Sequence, residues 1–222
     1  MDPDLGAMLL ADARLPTGGH AHSAGLEPAL AAGLDRAEVP EYIRARLRSV
    51  ALVDAAAAVL TLRAAGEQHI RLDEIHDALL ARTPTEPVRA ASALLGRGLV
   101  RLAERLWPEH PAVAALGAIG PGPQRPVALG VVAAVMGLDE SRVARACLYE
   151  DAQTVAAAAL KLLPVDPVDT ARWMWESAAV VRESAEIAVA VTCPAEMPAV
   201  TAPLAEHWAL QHENSTRRIF VA

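Results

Sequence analysis

Residues able to do chemistry are densest in the stretch Leu15-Pro16-Thr17-Gly18-Gly19-His20-Ala21-His22-Ser23-Ala24-Gly25-Leu26-Glu27. His20 and His22 lie two apart and could offer imidazole nitrogens to one divalent cation from a loop or strand. Two imidazoles make a poor complete metal site, and no third ligand stands beside them, so packing or hydrogen bonding is the competing use. Pro16, Gly18, Gly19 and Gly25 suit a sharp backbone turn, after which Ser23 could cap a helix that carries Glu27. Nucleophilic catalysis has little support. Ser23 is in no G-x-S-x-G elbow, and its adjacency to His22 is not the geometry of a triad. No G-x-x-x-x-G-K-[ST] loop occurs, so nucleotide binding by that route is not expected.

The second unusual stretch is His212-Glu213-Asn214-Ser215-Thr216-Arg217-Arg218-Ile219-Phe220-Val221-Ala222. It places the single Phe of the sequence beside two Arg, where a polar, frayed segment is the usual pattern. An aromatic next to Arg is the composition of a binding hot spot. The alternative is that Phe220 tucks back into its own core, and the sequence leaves both open.

The elements that must carry these residues read as helices. Leu95, Leu99, Leu102 and Leu106 form one stripe after Pro87, on a helix that should end near Trp107. A second long helix is expected from Glu41 to about Ala65, with Pro40 in its first turn. A short one is expected over Arg71 to Ala81. Pro126 to Leu138 reads as a buried helix, too short to span a bilayer. Asp139 can cap a helix running to about Leu163, and Asp166 another that starts at Pro167 and reaches Ala190. A last helix is expected near Thr201 to Glu213. Nothing repeats at a fixed period, and no linker divides the chain. The expectation is an all-α, single-domain bundle of roughly eight to ten helices over residues 1–222, with an interaction tail at 214–222.

Composition narrows the function. The 222 residues are 53% hydrophobic, much of it Ala, but only 3% aromatic, which suits close helix-on-helix packing. A formal charge of -7 repels a phosphate backbone, so nucleic acid is not an expected partner. Asp2 and Asp4 stand where a secretion signal would carry positive charge, and no membrane span is evident, so the expected location is the cytoplasm. Cys147 and Cys193 stand alone, without the spacing of a disulfide framework or zinc site, and read as buried thiols.

Taken together, Leu15 to Glu27 resembles the N-terminal signature of the urease accessory protein F family, commonly LPxGGFxxSxGLE, and the tail resembles that family's C-terminal pattern. Between them Arg89, Ser92, Gly96, Gly130, Tyr149 and Lys161-Leu162-Leu163-Pro164 fall in the family's order. The resemblance implies a non-catalytic, homodimeric accessory protein of urease maturation. Such a protein bridges a D/H-type accessory protein and the nickel-carrying G-type GTPase, and couples GTPase state to nickel insertion into apo-urease. It implies no stably bound cofactor, nickel being handled by the complex. Carried over, Arg217, Ile219 and Phe220 would face the D/H-type partner, with Lys161 and Tyr149 also at partner-binding positions. Pro16, Gly18, Gly19, His20, His22, Ser23, Gly25 and Glu27 would form an interface or structural motif, and His20 and His22 are candidates for transient nickel contact. Here His20 replaces the usual Phe, His22 an often-found Tyr, Val165-Asp166-Pro167 a Leu-Gly-Gln run, and Gln124 stands near the place of a common His.

Overall fold

The computed structural model describes residues 2–12, 15–120, 122–213 and 218–220. Among them the chain forms α1 (Pro3–Ala11), α2 (Leu26–Ala31), α3 (Val39–Leu47), α4 (Val50–Ala65), α5 (Asp73–Leu80), α6 (Glu86–Leu106), α7 (Pro111–Gly117), α8 (Arg125–Met136), α9 (Glu140–Leu162), α10 (Pro167–Glu176), α11 (Ala178–Ala190) and α12 (Pro203–Glu213). Three short 3-10 turns join them, and no described residue lies in a strand.

The centre is α4. Its Ala-rich sequence is apolar nearly all round, which only a helix surrounded by others can tolerate, and Ala55, Ala56, Ala57 and Ala58 are fully buried. It packs against α8, α9 and α11, with α6 on the far side of α8. Small residues set these distances. A Cβ on Gly130 of α8 would lie 2.5 Å from the Ala58 carbonyl oxygen and 2.6 Å from Thr61 Cβ. Buried residues from α1 through α11, together with Phe220, form one continuous apolar cluster.

Local signals fix most helix ends. The Asp139 carboxylate accepts the Arg142 N–H at 2.7 Å and starts α9, and that of Asp166 accepts the Val168 N–H at 2.8 Å and starts α10 at Pro167. Two expected helices are instead broken in two. Residues 41–65 split at Arg48-Ser49 into α3 and α4, and residues 167–190 split at Ser177 into α10 and α11. Each break falls on a serine that turns back onto the carbonyl four residues earlier. Ser49 Oγ donates to Ala45 O at 2.7 Å, and Ser177 Oγ to Trp173 O at 2.8 Å. Such back-bonding competes with helix continuation and bends the chain. These two breaks, with the short α1, α2 and α7, bring the described α-helices to twelve. The buried ridge of α6 also differs from the expected leucine stripe. Gly96, Leu99 and Ala103 face inward, while Leu106 is 54% exposed. No helix among the described residues is long and apolar enough to cross a membrane.

Candidate interaction site

The motif loop owes its path to glycines. Gly18 and Gly25 adopt φ of +89° and +76°, a region in which a Cβ is strained. At Gly25 space forbids one too, because it would lie 2.8 Å from the Tyr42 hydroxyl, which donates to Ala24 O at 2.8 Å. On the other side a Cβ on Gly98 of α6 would meet Thr17 O at 2.6 Å and Thr17 Cα at 2.7 Å. Pro16 is exposed. Gly19 opens a 3-10 turn over Gly19–Ala21. Ser23 is fully buried, and its Oγ accepts the Glu27 N–H at 3.3 Å, so it supports the start of α2.

His20 and His22 part company. His20 is exposed, whereas His22 is 5% exposed and its Nε2 has no hydrogen-bond partner among the described residues. Burial, helped by the charges of Arg125 and His20, holds His22 below its ordinary pKa. No group of three or more His, Cys, Asp or Glu among the described residues is arranged to hold a metal ion.

The far end of the chain arrives at the same loop. Glu27 Oε1 accepts the Ile219 N–H at 2.7 Å, and Oε2 the Phe220 N–H at 2.9 Å. Lys161 Nζ, near the end of α9, donates to His20 O at 3.1 Å and stands 5.0 Å from the centre of the Phe220 ring, within the range of cation–π attraction. Phe220 is 4% exposed, and Ile219 is 67% exposed. Of the two readings of Phe220, the structure has the one in which it tucks into its own core. Tyr149 is exposed on α9, roughly 18 Å along the helix axis from Lys161 at 1.5 Å per residue, and does not join this group. Arg217 lies outside the described residues. His212, the first residue of the tail stretch, also takes part. It is buried on α12, with Nε2 3.6 Å from Glu27 Oε2.

Beneath α12 lies a cavity of about 490 Å³, lined among others by His22, Asp54, Arg125, Glu150, Asp151 and Glu206. A smaller one of about 210 Å³ is lined by His20, Lys161 and Phe220, and it shares His22 and Glu150 with the first. The large cavity is wired with charge. Arg46 grips Asp151 with two nitrogens, at 3.0 and 2.5 Å, and Arg125 pairs with Glu150. Burial pushes the Cys147 thiol, 4.0 Å from Arg125, up to about 12. Burial likewise pushes Asp54 up to about 7, with Arg125 pulling against it and Asp151 adding to it. Pattern reading had no signal for Asp54, which is the single acid in a helix whose other polar residues are Thr61 and Arg63.

Comparison with known proteins follows the same lines. The UreF family model matches residues 34–178. A protein of Mycolicibacterium vanbaalenii named urease accessory protein UreF is 41% identical over 167 residues, covering 74% of this chain and 75% of its own. One of Mycobacterium sp. (strain JLS) with the same name is 38% identical over 224 residues, and one of Mycobacterium tuberculosis is 33% identical over 217 residues. Each covers 97% of both chains, so the likeness runs over nearly the whole sequence.

Proposed function

The chain belongs to the UreF family of urease accessory proteins, and on that footing we propose that it is a non-catalytic, cytoplasmic homodimer that bridges two partners in urease maturation. One partner is a D/H-type accessory protein. The other is a G-type GTPase that carries nickel, and the bridge couples its nucleotide state to delivery of nickel into apo-urease. Nickel is cargo in this reading, with no resident cofactor. The observation that carries it is the convergence of the two ends of the chain, where the Glu27 carboxylate accepts the Ile219 and Phe220 amides beside Lys161. That convergence leaves Ile219 outward, where a partner can cover it. Ile219, Arg217 and Lys161 form the partner surface, with the buried Phe220 holding it in place from beneath, and Tyr149 a second, separate contact on α9. The motif from Pro16 to Glu27 supports that surface.

The test is co-purification with the D/H-type and G-type proteins, read by size-exclusion light scattering with and without guanine nucleotide. The expected result is a complex containing two copies of this 23.3 kDa chain, lost when the chain is cut before Arg217. Failure to form any complex in any nucleotide state would remove the reading.

A further inference from the structure

Glu27 does more than begin a helix. Its side chain is 13% exposed, and a carboxylate so placed needs donors to offset the loss of water. Two successive backbone amides, those of Ile219 and Phe220, supply them, one to each oxygen. Consecutive N–H groups turned onto one anion form the concave arrangement by which backbones bind anions generally, here with the anion belonging to the same chain. The next contact adds selectivity. The Phe220 ring lines the smaller cavity together with Leu10, Leu15 and His20, and Lys161 stands over the ring while its ammonium is fixed by the His20 carbonyl.

We propose that Glu27 and Lys161 form an intramolecular receptor for the Ile219–Phe220 segment, so that the tail meets its partner already docked. Phe220 is then an anchor to its own chain, and Ile219, with the exposed Arg218 before it, is what the partner touches. An aliphatic side chain next to a guanidinium fits a partner surface with an apolar depression rimmed by carboxylates. The partner half of this inference rests on the bridging reading, whereas the receptor half is a property of this chain alone.

Residue-resolved amide hydrogen exchange on the full, isotopically labelled chain tests it. In wild type the Ile219 and Phe220 amides are expected to exchange at least about tenfold more slowly than in an unstructured peptide, since opening requires loss of the dock. Glu27→Gln and Phe220→Ala should each bring both neighbouring amides close to the unstructured rate, with α4 amides unchanged. Should Glu27→Gln loosen α4 as well, Phe220→Ala carries the test, because it leaves α2 and Ser23 intact. Unstructured rates at both amides in wild type, or full protection in Glu27→Gln, would overturn the receptor. Capture of the D/H-type protein then reads the partner half. Ile219→Asp should abolish capture while the Phe220 amide stays protected, and capture unchanged by Ile219→Asp would overturn outward presentation. Protected amides with no capture by wild type would support the receptor and count against the bridging reading instead.

Discussion

Replacing Asp54 by Asn should make the protein more stable, and progressively so as the pH rises. Asp54 lies on α4 in the lining of the cavity beneath α12, and burial foremost lifts its pKa from 3.8 to about 7. Between those values the unfolded chain has released this proton and the folded chain has kept it. Stability is therefore lost as the pH climbs from about 4 to 7, and stays lost above. At ~1.4 kcal/mol per tenfold change in proton affinity, the full cost above pH 7 is about 4 kcal/mol, of which about 3 accrues between pH 5 and 8. Asn has nearly the same shape and no charge. Whatever its amide gains or loses in the cavity is the same at both pH values. The assay is urea unfolding of wild type and Asp54→Asn at pH 5 and pH 8. With a urea dependence of about 3 kcal/mol per molar, the difference between the two midpoints should widen by about 1 M at the higher pH. A difference that does not change with pH would refute the reasoning, because it would mean that Asp54 is already ionised in the folded protein.

Other substitutions probe the same frame. Asp151→Ala leaves Arg46, whose side chain is 15% exposed, without its partner, and should cost about 3 to 5 kcal/mol by chemical denaturation. Gly98→Ala gains about 1 kcal/mol of helix preference, but its Cβ meets the Thr17 backbone at 2.6 Å, and overpacking costs about 1–3 kcal/mol. A net loss of about 1 kcal/mol is expected, with amide shift changes spreading through the Gly18 to Glu27 loop, and a net gain would show that the loop yields freely. His22→Gln should remove an acid sensitivity. With a folded pKa held below 6.5, wild-type His22 contributes stability that is present above pH 6.5 and is lost as the pH falls from there toward its folded value. Thermal scans at pH 7.5 and 5.5 should therefore show a smaller acid-side drop for the variant than for wild type.

Helix existence was legible because it rests on local chemistry. Asp139 and Asp166 are caps whose meaning needs only the next three residues, and the fold uses both. The breaks at Ser49 and Ser177 were missed because an interior serine in a helical pattern can face solvent, cap, or bond backward. Which of these happens depends on what the bent chain can pack against. The α6 leucine stripe misled in another way. Periodicity locates an apolar face, but Gly96 and Gly98 let other segments come closer than any leucine would allow, and the inward ridge moved to them. For the site, the motif's glycines announced a turn. The partnership of Glu27 with the tail did not show, since a carboxylate that binds backbone amides leaves no side-chain signature in the segment it binds.

The receptor for the tail is therefore inherited from the packing of the core. A Cβ on Gly130 would strike α4, one on Gly96 would strike the Pro123 carbonyl oxygen, and one on Gly98 would strike Thr17. Ser92 Oγ accepts the Arg125 N–H at 3.0 Å, and Gln124 Nε2 donates to Arg89 O at 3.2 Å, which ties the start of α8 to α6. These contacts set where α6 and α8 lie against α4, and hence where the motif loop rests beside α9. Lys161 reaches His20 O and the Phe220 ring only from that position, and Glu27 faces the tail amides only if the loop delivers α2 there. A methyl group added at Gly98, which would meet Thr17, should thus loosen the Phe220 amide although it touches neither Glu27 nor Lys161. Unchanged Phe220 exchange in a folded Gly98→Ala protein would mean that loop and tail dock independently of the helices beneath them.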